Sequence, residues 1–117
     1  KKSPVLWCAF SAIAEHSFAA EFDNNRRVDI QGVITKADWT SPNAFFYIDV
    51  TDAATGRVQN WVVETNCASL LAQKGWTRDS LKVGMIVSVP NAARARDGSR
   101  KVNSRTIQIQ GQAERSF

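Results

Sequence analysis

Apolar and polar residues alternate with a period of two along most of the chain from Val28 onward, and that pattern predicts strands. In VDIQGVITKADWT (28–40), Val28, Ile30, Gly32 and Ile34 share one face, and Gly32 inside the run predicts a bulge or bend. Ser41-Pro42-Asn43 makes the next turn. AFFYIDVTD (44–52) puts Phe46, Ile48 and Val50 on one face and Phe45, Tyr47 and Asp49 on the other. A hairpin turn ending at Gly56 leads into RVQNWVVET (57–65). CASLLAQK (67–74) reads as a short helix, with Asn66 as N-cap and Gly75 as terminator. Met85, Val87 and Val89 alternate in a fourth strand over 84–90, and VNSRTIQIQ (102–110) is the fifth. Asn24-Asn25-Arg26-Arg27 reads as a turn before the first strand, and 92–101 as a basic loop around Asp97-Gly98.

Three strands, one short helix and two further strands (β-β-β-α-β-β) is the order of a small five-stranded OB-like β-barrel, an all-β fold with a single helix. A first strand bent at Gly32 and a helix whose Leu70 and Leu71 plug the barrel bottom fit that expectation. The predicted core is Ile34, Phe46, Ile48, Val50, Val62, Leu71, Val87 and Ile107. A chain of 117 residues with 44% apolar and 22% charged residues suits one such domain, placed at 15–117.

Residues 1–14 have a different pattern. Lys1 and Lys2 precede an apolar run from Pro4 to Ile13, and Ala12-Ile13-Ala14 is an A-x-A site of the kind signal peptidases cut. The run is about half of the ~20 residues a membrane-spanning helix needs, so no transmembrane span is expected. The segment reads as an export signal, which places the protein in the periplasm or outside the cell. Retained, it would be an apolar helix that docks on a membrane or a protein partner through residues 4–14.

Charge and chemistry narrow the function classes. The net charge of +4 falls to about +2 once Lys1 and Lys2 are set aside, too mild by itself to argue for nucleic acid. Cys8 and Cys67 form neither a disulfide framework nor a CxxC metal site, and they read as two small buried residues. A bridge between them requires that the leader stay attached in an oxidising compartment. The one histidine, His16, lies in a segment poorly suited to hold catalytic geometry. No Gly-rich phosphate loop or HExxH motif is present, so no enzyme activity, cofactor or metal is expected. One weak exception is a square-planar Cu(II) site, formed by His16 and the new amine if cleavage leaves Glu15 first.

The later motifs carry a resemblance. HSFAAEFD (16–23), GVITKADWTSPNAFFYIDV, NWVVET, LLAQKGWTRDSLKVG and ARDGSR match, in order, a family of small exported bacterial proteins of unknown function. Its members read AHHSFAAEFD after a signal peptide and carry G-x-V-x-x-x-x-W-x-N-P-H, NW-x-x-E, GW-x-R-x-S-L-K-x-G and A-x-DGS. The resemblance implies export and an OB-like barrel. Three positions depart from it: Glu15 and Asn43 stand where the family has histidine, and Met85 where it has an acidic residue. A metal site built on those histidines is therefore not carried over.

The expectation is an exported, non-enzymatic binding or accessory-subunit module. Its binding candidates are His16, Trp39, Asn43, Tyr47, Trp76, Arg78, Arg94 and Arg96. The runner-up is an OB-type single-stranded nucleic-acid binder, stacking bases on Trp39, Phe45, Tyr47 and Trp61 beside a basic loop of Arg94, Arg96, Arg100 and Lys101. If the body closes its core without the leader, removing residues 1–14 leaves it folded and weakens only assembly or membrane attachment. Thermal unfolding and native mass with and without the segment test this, and loss of cooperative unfolding would place those residues in the core.

Overall fold

A computed structural model describes residues 20–39 and 43–117; the leader, His16 and the Ser41-Pro42 turn lie outside the described residues. The elements are β1 (Phe22–Asp38), β2 (Asn43–Thr51), β3 (Val58–Cys67), α1 (Ala68–Gln73), β4 (Ile86–Ala95), β5 (Lys101–Asn103), β6 (Thr106–Ile109) and β7 (Arg115–Ser116). The sheet runs β1-β2-β3-β5-β4-β6-β7, and β1 also pairs with β4. That second pairing closes β1, β2, β3, β5 and β4 into a ring. All pairings are antiparallel except β3 with β5.

The mostly-β character and the short helix between the third and fourth strands are as the pattern predicts. The strand order is not, because seven strands replace five. The expected fifth strand divides in two at Ser104. This buried hydroxyl donates to the Thr106 carbonyl at 2.7 Å and accepts from the Thr106 N–H at 3.2 Å. Such a local side-chain bond draws the backbone out of the ladder. β5 therefore pairs with β3 and β4, whereas β6 pairs with β4 and β7.

Two strands are longer than expected because bulges stand where turns or loops were read. β1 reaches back to Phe22 through Asn24–Arg27, where its register with β4 shifts. There the Asp23 carboxylate accepts from the Asn25 N–H at 2.9 Å, and Arg27 bonds Asn24 and the Asn91 carbonyl. β4 continues past Pro90 because Asn91 takes a left-handed φ of 54° and donates its N–H to Asp29 at 2.7 Å. Beyond that bulge Ala92, Ala93 and Ala95 are all buried strand residues, not part of a basic loop.

The core follows the inward parity of these strands. Ile34, Phe46, Ile48, Leu71, Val87 and Ile107 are buried as expected. Val62 is only half-buried because the inward residue of β3 is Val63, and Val50, near the strand end, is also half-buried. In α1 the N-cap position is Cys67 rather than Asn66, whose side-chain oxygen instead accepts from the Cys67 N–H at 2.9 Å. Cys67 is buried but disulfide-bonded, not a free thiol; the chain's other cysteine, Cys8, lies outside the described residues. Phe22, Ala93 and Ala95 make a second, separate buried cluster. Among the described residues no helix is long and apolar enough to cross a membrane.

The far end of the chain is structural. Phe117 is buried, with its ring 5.7 Å from Phe46 and 5.2 Å from Trp76. Trp76 donates its indole N–H to the Ser116 carbonyl at 2.8 Å, and the Arg115 guanidinium covers its ring at 3.7 Å.

Gly32 marks where β1 exchanges partners. Gly32 lies opposite Val87 of β4, while Val33 already lies opposite Asp49 of β2. A Cβ at Gly32 would sit 2.1 Å from the Asp49 carbonyl oxygen, a backbone atom that cannot step aside. Gly32→Ala is therefore expected to destabilise by about 3 kcal/mol or more, at the upper end of overpacking effects. Chemical denaturation checks this, and an unchanged midpoint would mean that β1 does not bend there.

Candidate functional site on the outer face of β2 and β3

With Phe46, Ile48 and Val63 inward, the alternate residues of β2 and β3 face out, and the register aligns them in rows. Asp38, Phe45, Glu64 and Asn103 make one row across β1, β2, β3 and β5. Lys36, Tyr47, Val62 and Lys101 make the next. Asp49 and Asn60 begin a third. The Asn60 amide donates to Asp49 at 2.8 Å and to the Thr35 hydroxyl at 3.2 Å.

A bulge between Asn43 and Phe45 lets Asn43 reach this face, where its amide donates to Glu64 at 2.7 Å. Lys101 bonds Glu21 at 2.6 Å and stands 3.8 Å from the other Glu64 oxygen. Burial pushes the Glu64 carboxyl above its ordinary pKa; the Asn43 bond opposes that, Glu21 adds to it, and Lys101 opposes it. Burial wins because the ammonium is turned toward Glu21. Burial also draws the Lys101 pKa down, but the Glu21 bond and the carboxylates of Glu21, Glu64 and Asp97 together leave it raised.

Cations lie over the aromatic rings. The Lys36 ammonium is 5.5 Å from the Tyr47 ring centre, and that of Lys101 is 5.4 Å from Phe45 and 5.8 Å from Phe22. Phe45 and Tyr47 are half-buried. No described residue bonds the Tyr47 hydroxyl, the Asn103 amide, the Asn43 carbonyl oxygen or the Asp38 carboxylate. The face thus holds two half-buried rings, each with a lysine ammonium over it, and several uncommitted donors and acceptors.

Of the expected binding residues, the fold brings Asn43 and Tyr47 together here. Trp39 is half-buried against the core at the rim of a small apolar cleft with Phe45, Leu71 and Phe117; its indole N–H is buried without a partner. Trp76, a binding candidate by type, lies in the core, where Phe117 and Ser116 cover it. Arg78 is exposed in the turn after α1. Arg94 is turned inward: its guanidinium lies 5.1 Å from the Trp61 ring and donates to the Gly98 and Ser99 carbonyls. Arg96 is exposed, and its backbone N–H bonds the Glu21 carbonyl at 2.8 Å. His16 lies outside the described residues. Glu64, Asn103 and Asp38 were not among the expected residues; only the cross-strand register joins them to Asn43. Among the described residues no three His, Cys, Asp or Glu side chains gather as a metal-holding group.

The closed ring defines an OB-fold-like architecture, and a solved structure agrees. The mitochondrial single-stranded DNA-binding protein Rim1 from S. cerevisiae superposes with a TM-score of 0.53 at 12% identity, covering 75% of this chain and 96% of that one. At that identity the likeness concerns the fold. The chain belongs to a family of unknown function, DUF6152, which matches residues 4–112. No curated protein matches the chain.

The raised Glu64 pKa has a stability consequence with a definite sign. The folded state holds this proton more tightly than the unfolded chain, so the contribution is full below the ordinary carboxyl value of 4.5. It is lost as pH rises through the folded pKa. Glu64→Gln keeps an acceptor for Asn43 and removes the ionisation, so the variant should be the more stable protein at neutral pH and lose the advantage in acid. Denaturation midpoints across that range test it, and parallel pH profiles would count against the assignment.

Proposed function

We propose that this protein is an exported, non-enzymatic binding module, acting as an accessory subunit or ligand carrier through the outer face of β2 and β3. The observation that carries the reading is the pairing of two half-exposed rings, Phe45 and Tyr47, with polar groups that no described residue satisfies. Aromatic anchors beside unpaired polar atoms are the usual make-up of a recognition surface. The leader-like opening supports export.

Single-stranded nucleic acid is the second reading, favoured by the fold shared with a single-stranded DNA-binding protein. The electrostatics weigh against it. Arg94 is spent on Trp61 and two backbone carbonyls, and Lys101 on two carboxylates. Phosphate binding needs cations free to displace counterions.

Native purification of the full chain and of Tyr47→Ala, from the envelope fraction of the source cells, tests the proposal. A stoichiometric component should accompany the parent and be lost at least tenfold from the variant, as for removal of an interface anchor. Equal retention by both, or a protein confined to the cytosol, would overturn it.

A further inference from the structure

We infer that the ligand of this face is an uncharged, polyhydroxylated chain: a neutral oligosaccharide lying across Phe45 and Tyr47. The inference rests on the binding role proposed above and supplies its chemistry. The strand 2–3 face of OB-type folds takes oligosaccharides as well as oligonucleotides, so the fold admits both and the side chains decide.

Charge decides first. Asp38, Asp49 and Glu64 stand in the same three rows as Lys36 and Lys101, so the acids outnumber the bases. Lys101 is already held between Glu21 and Glu64. A phosphodiester backbone laid here would meet carboxylates with little cationic compensation. A purely apolar ligand would bury those same carboxylates and amides without partners, a loss of order 1–3 kcal/mol for each group.

A sugar satisfies both conditions. Its hydroxyls donate and accept, which suits a mixed set of carboxylate acceptors and amide donors. The Asp38 carboxylate, the Asn43 carbonyl oxygen, the Asn103 amide and the Tyr47 hydroxyl are uncommitted among the described residues. The C–H face of a pyranose is apolar with weakly positive hydrogens, complementary to the negative face of an aromatic ring. Phe45 and Tyr47 are two residues apart on one strand, which places their rings roughly 7 Å apart along it. A linear glycan that displaces the Lys36 and Lys101 ammoniums from these ring faces therefore meets two platforms in succession. The sheet fixes both platforms before the ligand arrives, so little ordering opposes binding.

Amide NMR of the full chain tests this, with cellohexaose, maltohexaose and chitohexaose as separate probes and an oligothymidylate as competitor class. At least one sugar should shift the amides of Phe45, Tyr47, Glu64 and Lys101 saturably, with an affinity unchanged between low and high salt. Tyr47→Ala should weaken that binding tenfold or more. Asn103→Ala, which removes only a surface amide, should weaken it several-fold while leaving the spectrum folded. Shifts with oligothymidylate alone, fading with salt, would overturn the ligand class yet leave the face as a binding site. If no sugar moves these amides, the inference falls; the purification of Tyr47→Ala then decides separately whether the face binds anything.

Discussion

The structure depends on one strand pairing with two partners. β1 is bonded to β4 along its first part and to β2 along its second, and the exchange falls at Gly32 and Val33. Without that exchange, β2-β3-β5-β4 would be an open sheet with two long edges. With it, the sheet has an inside and an outside. The condition is steric: the Asp49 carbonyl occupies the space a side chain at Gly32 would need. Everything that follows, from the buried interior to the two rings on the outer face, is set by that approach of two backbones.

Closure forces a strict division of labour between neighbouring residues. On β2, Phe46 and Ile48 fill the interior while Phe45 and Tyr47, their immediate neighbours, stand on the outer face. On β4 the Asn91 bulge resets the alternation, so Ala92 joins the main core and Ala93 and Ala95 join the second cluster with Phe22. The outer face is polar yet internally braced, since Asn43, Glu64, Lys101 and Glu21 form a continuous chain of contacts. That bracing holds a half-buried carboxylate where desolvation outweighs its nearest cation.

The period of two made β2, β3 and the middle of β1 legible, and the Asn66 to Gly75 punctuation did the same for α1. Two of the errors share a cause: Asp23 and Ser104 satisfy backbone groups two residues away, and a residue that does so looks in sequence like the start of a turn, whereas Asp29 bonds Asn91 across the sheet. In three dimensions Asp23 and Asp29 stabilise bulges that let strands continue, while Ser104 divides one strand into two. Arg94 and Arg96, on either side of Ala95, made a buried strand resemble a solvated loop. Trp76 stands among the binding candidates because its partner Ser116, which helps to bury it, is 40 residues distant. The candidate site was half legible: Asn43 and Tyr47 were identifiable by type, but their company with Glu64, Asn103 and Asp38 exists only in the register. No pattern along the chain encodes a register that passes through a bulge.

The short strand at the margin of the sheet has a consequence for how these molecules meet one another. β7 spans only Arg115–Ser116, and the next backbone N–H, that of Phe117, is taken by the Arg105 carbonyl at 2.8 Å. An approaching strand from another copy finds there two residues of ladder, one of them cationic, with the Phe117 side chain turned into the core. Cross-β growth needs a longer run of open rungs than that. Among the described residues, the segment that seals Trp76 therefore offers a second strand only two ladder residues at this margin.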